Sequence, residues 1–216
     1  MYYCCINVSL LNATCIEIEK LIRTIMIKTI KELKEYYRIE LHGMSKARFI
    51  YETLFASIGG YIIHLRLLEY LQSKKSPMYK PLMFFVHWRL SRISVMTGIH
   101  IPPGVCDKGL TLRHFGSIVV NSSTRIGRNC CIHNNVNIGA NKGGKIAPKI
   151  GNNVYIGPGA VLFGEIEIAD GCYIGANAVV NKSVLTPNSV ILGVPGKVVK
   201  QDDKCWWEYN SMQREK

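Results

Sequence analysis

Acid is scarce in this sequence relative to base. Lys and Arg number 27 against 15 Asp and Glu, a net charge of +12. That balance disfavours a cationic partner. It favours an anionic one: cofactor phosphates, an acidic sugar polymer, nucleic acid or a membrane face. Nucleic acid has no further support, because the chain lacks any recognised module or aromatic-basic motif for it. Metal chemistry is disfavoured too. The eight cysteines, at 4, 5, 15, 106, 130, 131, 172 and 205, include no CxxC spacing and no Cys/His set suited to zinc. The N-terminus lacks the basic region of a secretory leader, so free thiols in a reducing cytoplasm are expected. No apolar run approaches spanning length. The most apolar short run, Leu82 to Val86, is bounded by His87 and closely followed by Arg89. The basic, aromatic stretch Met78 to Arg92 reads as a packed amphipathic helix, with a peripheral membrane contact as its alternative.

What is present divides near residue 98. Residues 16–40 carry apolar side chains at helical spacing, mixed with Lys and Glu, and predict a helix ending before a turn at His42–Met44. A second helical region follows over 45–73 with a break expected at Gly59-Gly60. Ser73–Pro77 reads as a linker. A third helix is expected from Pro81 to Met96, stopping at Gly98. Residues 1–98 thus form an α-helical region, followed by a second domain over 99–200 and a tail over 201–216. No residue of the helical half shows catalytic chemistry on its face; His42, His64 and His87 are assigned no role.

The second half carries a beat of six. Val120, Ile126, Ile132, Ile138, Ile150, Ile156, Leu162, Ile168, Ile174 and Val180 share one grid, broken only at Gly144. A period of six is neither helical nor simply alternating. It is the signature of a hexapeptide-repeat parallel β-helix, which buries one column of side chains after another. Grid residues are commonly followed by glycine, at 127, 139, 151, 157 and 175, where a corner of positive φ is expected. Four residues after each grid point stands small or medium filler, including Cys130 and Cys172, which reads as buried thiol. If three hexamers make a coil, residues eighteen apart stack. The predicted columns are then 120, 138, 156, 174 and 192; 132, 150 and 168; and 126, 162 and 180. The failure at Gly144 falls in Asn141–Lys145, which is expected to leave the coil as a loop.

Three landmarks add a resemblance. His114-Phe-Gly-Ser-Ile-Val-Val-Asn, Pro148-Lys-Ile-Gly151 and Gly193-Val-Pro-Gly-Lys197 occur in order on the grid. From about Ile99 to Val199 the chain resembles the hexapeptide-repeat acyltransferases, most closely the serine acetyltransferase-like branch. The resemblance implies a left-handed parallel β-helix, a homotrimer, and acetyl transfer from acetyl-CoA to a hydroxyl. Handedness comes from the resemblance alone, since general crossover rules favour the right-handed sense.

The chain also departs from that branch. Arg113 stands where an Asp precedes the catalytic His, and Gly98 where an Asp precedes the Ile-His element. Ala147 stands for a second active-site His, and Ser122 for a Glu. An amino-acid acceptor without counter-charges binds poorly, so the expected acceptor is a saccharide hydroxyl, as in capsule, exopolysaccharide or O-antigen biosynthesis. Serine O-acetyl transfer is the alternative, and a non-catalytic β-helix scaffold comes lower. His114, matching the landmark, is the expected general base, because imidazole titrates near neutral pH. Counting back by six from Val120 would point it inward, unless the register fails before the first complete coil. His133 and Asn134 are candidates for contacting the acceptor. The resemblance places the pantetheine arm of CoA along Gly139, Ala140, Pro158 and Ala176, in a groove between neighbouring β-helices, with Lys197 toward the nucleotide phosphates.

Overall fold

In the computed structural model, which describes residues 26–142, 144–206 and 208, the helical half is built from short, individually capped segments. Helix α1 (Ile30–Glu40) opens on a reciprocal box. The Thr29 hydroxyl accepts from the Glu32 amide, and the Glu32 carboxylate accepts from the Thr29 amide. Ser45 caps α2 (Lys46–Leu54), and Ser57 caps α3 (Ile58–Gln72). Of the helix expected over 16–40, the described part begins at Ile30, and residues 26–29 are not helical. Residues 16–25, together with Cys4, Cys5 and Cys15, lie outside the described residues. The break expected at Gly59-Gly60 falls earlier, at Phe55–Ser57. The glycines instead form the first turn of α3, where a Cβ on Gly60 would stand 2.4 Å from the Glu52 carbonyl oxygen. Helix α4 (Lys80–Thr97) follows a short 3-10 turn and ends at Gly98, whose φ of 73° turns the chain directly into the first strand. Among the described residues no single helix is long and apolar enough to cross a membrane.

From Ile99 the chain winds into coils whose strands stack in three sheets. One face is β1 (Ile99–His100), β3 (Ile118–Val120), β6 (Val136–Gly139), β9 (Val161–Phe163) and β12 (Val179–Val180), all parallel. A second is β4 (Arg125–Ile126), β7 (Lys149–Ile150) and β10 (Glu167–Ile168). The third runs β2 (Thr111–Leu112), β5 (Cys131–Ile132), β8 (Tyr155–Ile156), β11 (Tyr173–Ile174) and β13 (Ser189–Leu192). It is closed by β14 (Lys197–Gln201), the one antiparallel addition among the described residues. Every aliphatic grid residue from Val120 to Val180 is buried, as are Cys130, Cys172 and the alanine fillers.

Two details of the coil differ from expectation. The columns are 120, 138, 162 and 180; 132, 156 and 174; and 126, 150 and 168. The step is eighteen within regular coils, but twenty-four across the segment 139–149. The reason is geometric. The connection between β6 and β7 is six residues longer than a regular coil allows and adds no strand of its own, so every later residue moves one face along. The expected strict eighteen-residue columns fail there.

The second difference concerns glycine. None of the glycines following the grid has positive φ. The left-handed corners fall three residues after the grid, mostly on asparagine: Asn129, Asn135, Asn153 and Asn177 have φ of 55–59°. Glycine follows the grid because coils touch there. A Cβ on Gly157 would lie 2.8 Å from the Ile174 carbonyl oxygen and 2.9 Å from the Ala176 nitrogen.

The helices dock on the first coil through a buried cation. Arg66 donates to both Glu40 oxygens (2.6 and 2.9 Å), to both Glu69 oxygens (2.9 and 3.1 Å), and to the carbonyls of Cys106 and Asp107. The same carboxylates accept from the amides of Gly104, Gly109 and Leu110. One continuous apolar core runs from Leu41 on the helices to Ile191 in the last coil.

Candidate active site

The turn after β2 carries His114. It is exposed and does not point inward, because Leu112 takes the buried place and pairs with Ile132 at a step of twenty. The six-residue count does not reach back into this first coil. Gly116, with φ of 132°, shapes the turn. A Cβ there would stand 3.0 Å from Cβ of Asn134. Asn134 therefore backs the His114 turn, while its carbonyl accepts from the Gly159 amide.

One coil further on, His133 faces His114, with ring centroids 5.8 Å apart. His133 packs at 5.0 Å against Tyr155, which stacks on Tyr173 at 4.5 Å and 5°. Trp206 closes on Tyr155 edge-to-face at 5.7 Å. These side chains floor a cleft of about 650 Å³. Its cationic rim is Arg113, Lys200 and Lys204; Asp202, 2.7 Å from the Lys200 ammonium, is its one carboxylate among the described residues. Burial, the neighbouring His114 and the Arg113 charge hold the His133 pKa below the usual imidazole value. His133 is thus a neutral donor or acceptor at neutral pH. Burial, then Tyr173, pushes the Tyr155 phenol up to about 12, so it is protonated.

Two of the residues expected from sequence, His114 and His133, meet in this cleft; the remainder lie elsewhere. Asn134, Pro158 and Ala176 line successive turns of one corner of the coil, linked by the Gly159 amide to the Asn134 carbonyl and the Asn177 amide to the Pro158 carbonyl. Gly139 and Ala140 stand at the opposite end of the adjoining face, and Lys197 opens β14. Tyr155 and Tyr173 were missed, although a signal existed. Both immediately precede grid residues, so they face outward, and they are one coil apart. Trp206 and Asp202 had no such signal, because the returning strand β14 brings them.

A second cleft, of about 420 Å³, opens on the other side of the same segment. Thr111, Leu112 and Phe115 form one wall and Glu52 of α2 stands in the other. Glu52 is 8% exposed, and its Oε2 is buried without a hydrogen-bond partner. Its Oε1 accepts from Arg48 at 3.3 Å. Among the described residues no group of three or more His, Cys, Asp and Glu could hold a metal ion.

Residues 147–182 match the family model of the bacterial transferase hexapeptide (six repeats). A serine acetyltransferase of Staphylococcus xylosus is 31% identical over 183 residues, which is 83% of this chain and 82% of the relative. The chain belongs to the serine acetyltransferase family. It is accordingly an acyltransferase, with mostly parallel sheets behind a helical region. A serine acetyltransferase of Staphylococcus aureus is 41% identical over 117 residues, about half of either chain (52% and 54%). The crystal structure of the Brucella abortus serine acetyltransferase superposes with a TM-score of 0.64 at 25% identity, covering 85% of this chain and 73% of that one. The Neisseria gonorrhoeae enzyme, solved in complex with serine, superposes with a TM-score of 0.53 at 29% identity, covering 85% and 69%.

Membership overturns the expected saccharide acceptor and its polysaccharide pathway, since the family's relatives are named for serine. The expectation weighed only acids at the β-helix landmarks. Carboxylates also arrive from elements that those landmarks do not include, Glu52 from α2 and Asp202 from beyond β14.

Proposed function

We propose that this chain is a serine O-acetyltransferase in which His114 is the general base. Acetyl-CoA is the co-substrate. The observation that carries the reading is the outward, solvent-reached imidazole of His114, facing neutral His133 across a cleft that holds both a carboxylate and cations. The serine hydroxyl hydrogen-bonds to the His114 ring. As its oxygen attacks the thioester carbonyl carbon, the proton passes to His114. The tetrahedral oxyanion collapses, the carbon–sulfur bond breaks, and His114 returns the proton to the CoA thiolate. No covalent enzyme intermediate is needed. His133 orients the acceptor hydroxyl. Asp202 offers a counter-charge to the serine ammonium and Arg113 one to its carboxylate.

The finer features of the resemblance belong to the same proposal: a left-handed coil, a homotrimer, and a pantetheine arm along Gly139, Ala140, Pro158 and Ala176 with Lys197 at the nucleotide end. Cytoplasmic residence belongs to it as well, supported by the free, buried Cys106, Cys130, Cys131, Cys172 and Cys205.

The test is acceptor-dependent release of CoA thiol by the purified chain, with O-acetylserine identified by mass. Serine is expected to drive release, and His114→Ala to lower kcat by roughly a hundredfold or more with an unchanged circular-dichroism spectrum. Release that is indifferent to serine, or that survives the substitution, would sink the reading.

A further inference from the structure

Helix α4 is amphipathic in an unusual sense. The face it packs on the protein is narrow, namely Val86, Leu90, Ile93 and Thr97. Its largest apolar side chains point the other way. Phe84 is 75% exposed, and Phe85 and Trp88 are more than half exposed. Met78 and Leu82 continue this surface toward the N-terminal end. Arg89 donates to the Leu54 carbonyl, which sets the exposed Leu54 and Phe55 alongside. A monomer does not ordinarily leave so many large aromatics together in water.

Charge separates the occupants such a face could take. From Tyr70 to Cys106 the sequence has no Asp or Glu, but carries Lys74, Lys75, Lys80, Arg89 and Arg92. Lys75, Lys80 and Arg92 are exposed. A twofold contact of this face with itself would set cations against cations. An anionic bilayer would take both components. The aromatics enter the boundary between headgroups and acyl chains while the cations meet lipid phosphates. Eighteen helical residues give about 27 Å of helix to lie in that plane.

We propose that α4 and the adjoining end of α2 form a peripheral docking surface for an anionic membrane. The inference is independent of which acceptor the enzyme uses. Its test is sedimentation of the full chain with vesicles of phosphatidylcholine alone, and of phosphatidylcholine and phosphatidylglycerol in equal parts. Pelleting with the anionic vesicles only, reversed by high salt, is expected. Phe84→Ser with Trp88→Ser, and separately Lys80→Glu with Arg92→Glu, are each expected to weaken binding by more than about tenfold. Both double variants should keep the parent's melting temperature and acetyl-CoA turnover. A chain that stays in the supernatant with both vesicle types overturns the proposal. So does binding unaffected by either pair of substitutions. A fall in oligomeric mass on Phe84→Ser with Trp88→Ser, measured by light scattering, would instead make the face a contact between copies of the chain.

Discussion

A histidine can be placed by what its ring touches. The His114 ring lies outside the coil, exposed to solvent, and His133 lies 5.8 Å away. His64 is the opposite case. It is buried on α3, with Nδ1 2.7 Å from the Gly60 carbonyl, and burial lowers its pKa despite that hydrogen bond. The sign of the linkage follows. A histidine whose folded pKa is depressed takes up its proton more readily in the unfolded chain. Its contribution to stability is therefore complete above the unfolded value of about 6.5, and is lost as pH falls from there toward the folded pKa. Urea unfolding between about pH 8 and about pH 5 should show His64→Gln losing less stability on acidification than the parent chain. Equal losses would show that His64 is not a source of the acid sensitivity. The sequence singles out His114 by the landmark it opens and gives His64 no role. The burial that depresses the His64 pKa was not legible there, because it depends on the residues packed around the ring.

At the scale of the coil, much was legible. Side-chain size at the grid and at the filler positions is dictated by the interior, so the six-residue beat reports burial directly. The glycines were legible as necessary but not as to why, because steric contact with the next coil leaves the same mark in a sequence as a left-handed corner. The two explanations separate experimentally. Gly157→Ala places a Cβ against the backbone of the next coil and should cost about 1–3 kcal/mol. At Gly139 the nearest atom to a Cβ is 3.6 Å away, on the Asn137 side chain, so Gly139→Ala should be nearly neutral in stability. Equal costs in chemical denaturation would mean that contact between coils is not what selects glycine. The columns were misread for a related reason. Looped-out residues are counted by the sequence but not by the stack.

Across the whole molecule, the helices and the β-helix share one apolar core, and the Arg66 cluster is the polar tie between them. A boundary near residue 98 could be seen as a change of texture, but this tie could not, since Glu40 and the Cys106 and Asp107 carbonyls lie 26 to 41 residues from Arg66. Arg66→Met removes the cation and leaves Glu40 and Glu69 buried together. A loss of about 3–5 kcal/mol is expected in urea unfolding, with helix and sheet signals melting together. A helical signal lost alone at lower denaturant would mean that the halves are stabilised separately.

A stack of parallel coils has no intrinsic last member, because each coil presents to the next the edge on which it was itself built. β14 interrupts that sequence on the third face. It runs antiparallel to β13, and its register shifts between Val190 and Ile191. It also presents Lys197 and Lys200 among its exposed residues. A further coil arriving at that edge would meet reversed polarity and positive charge in place of a matching template. On that face the last described strand withholds the template on which a further coil would pair.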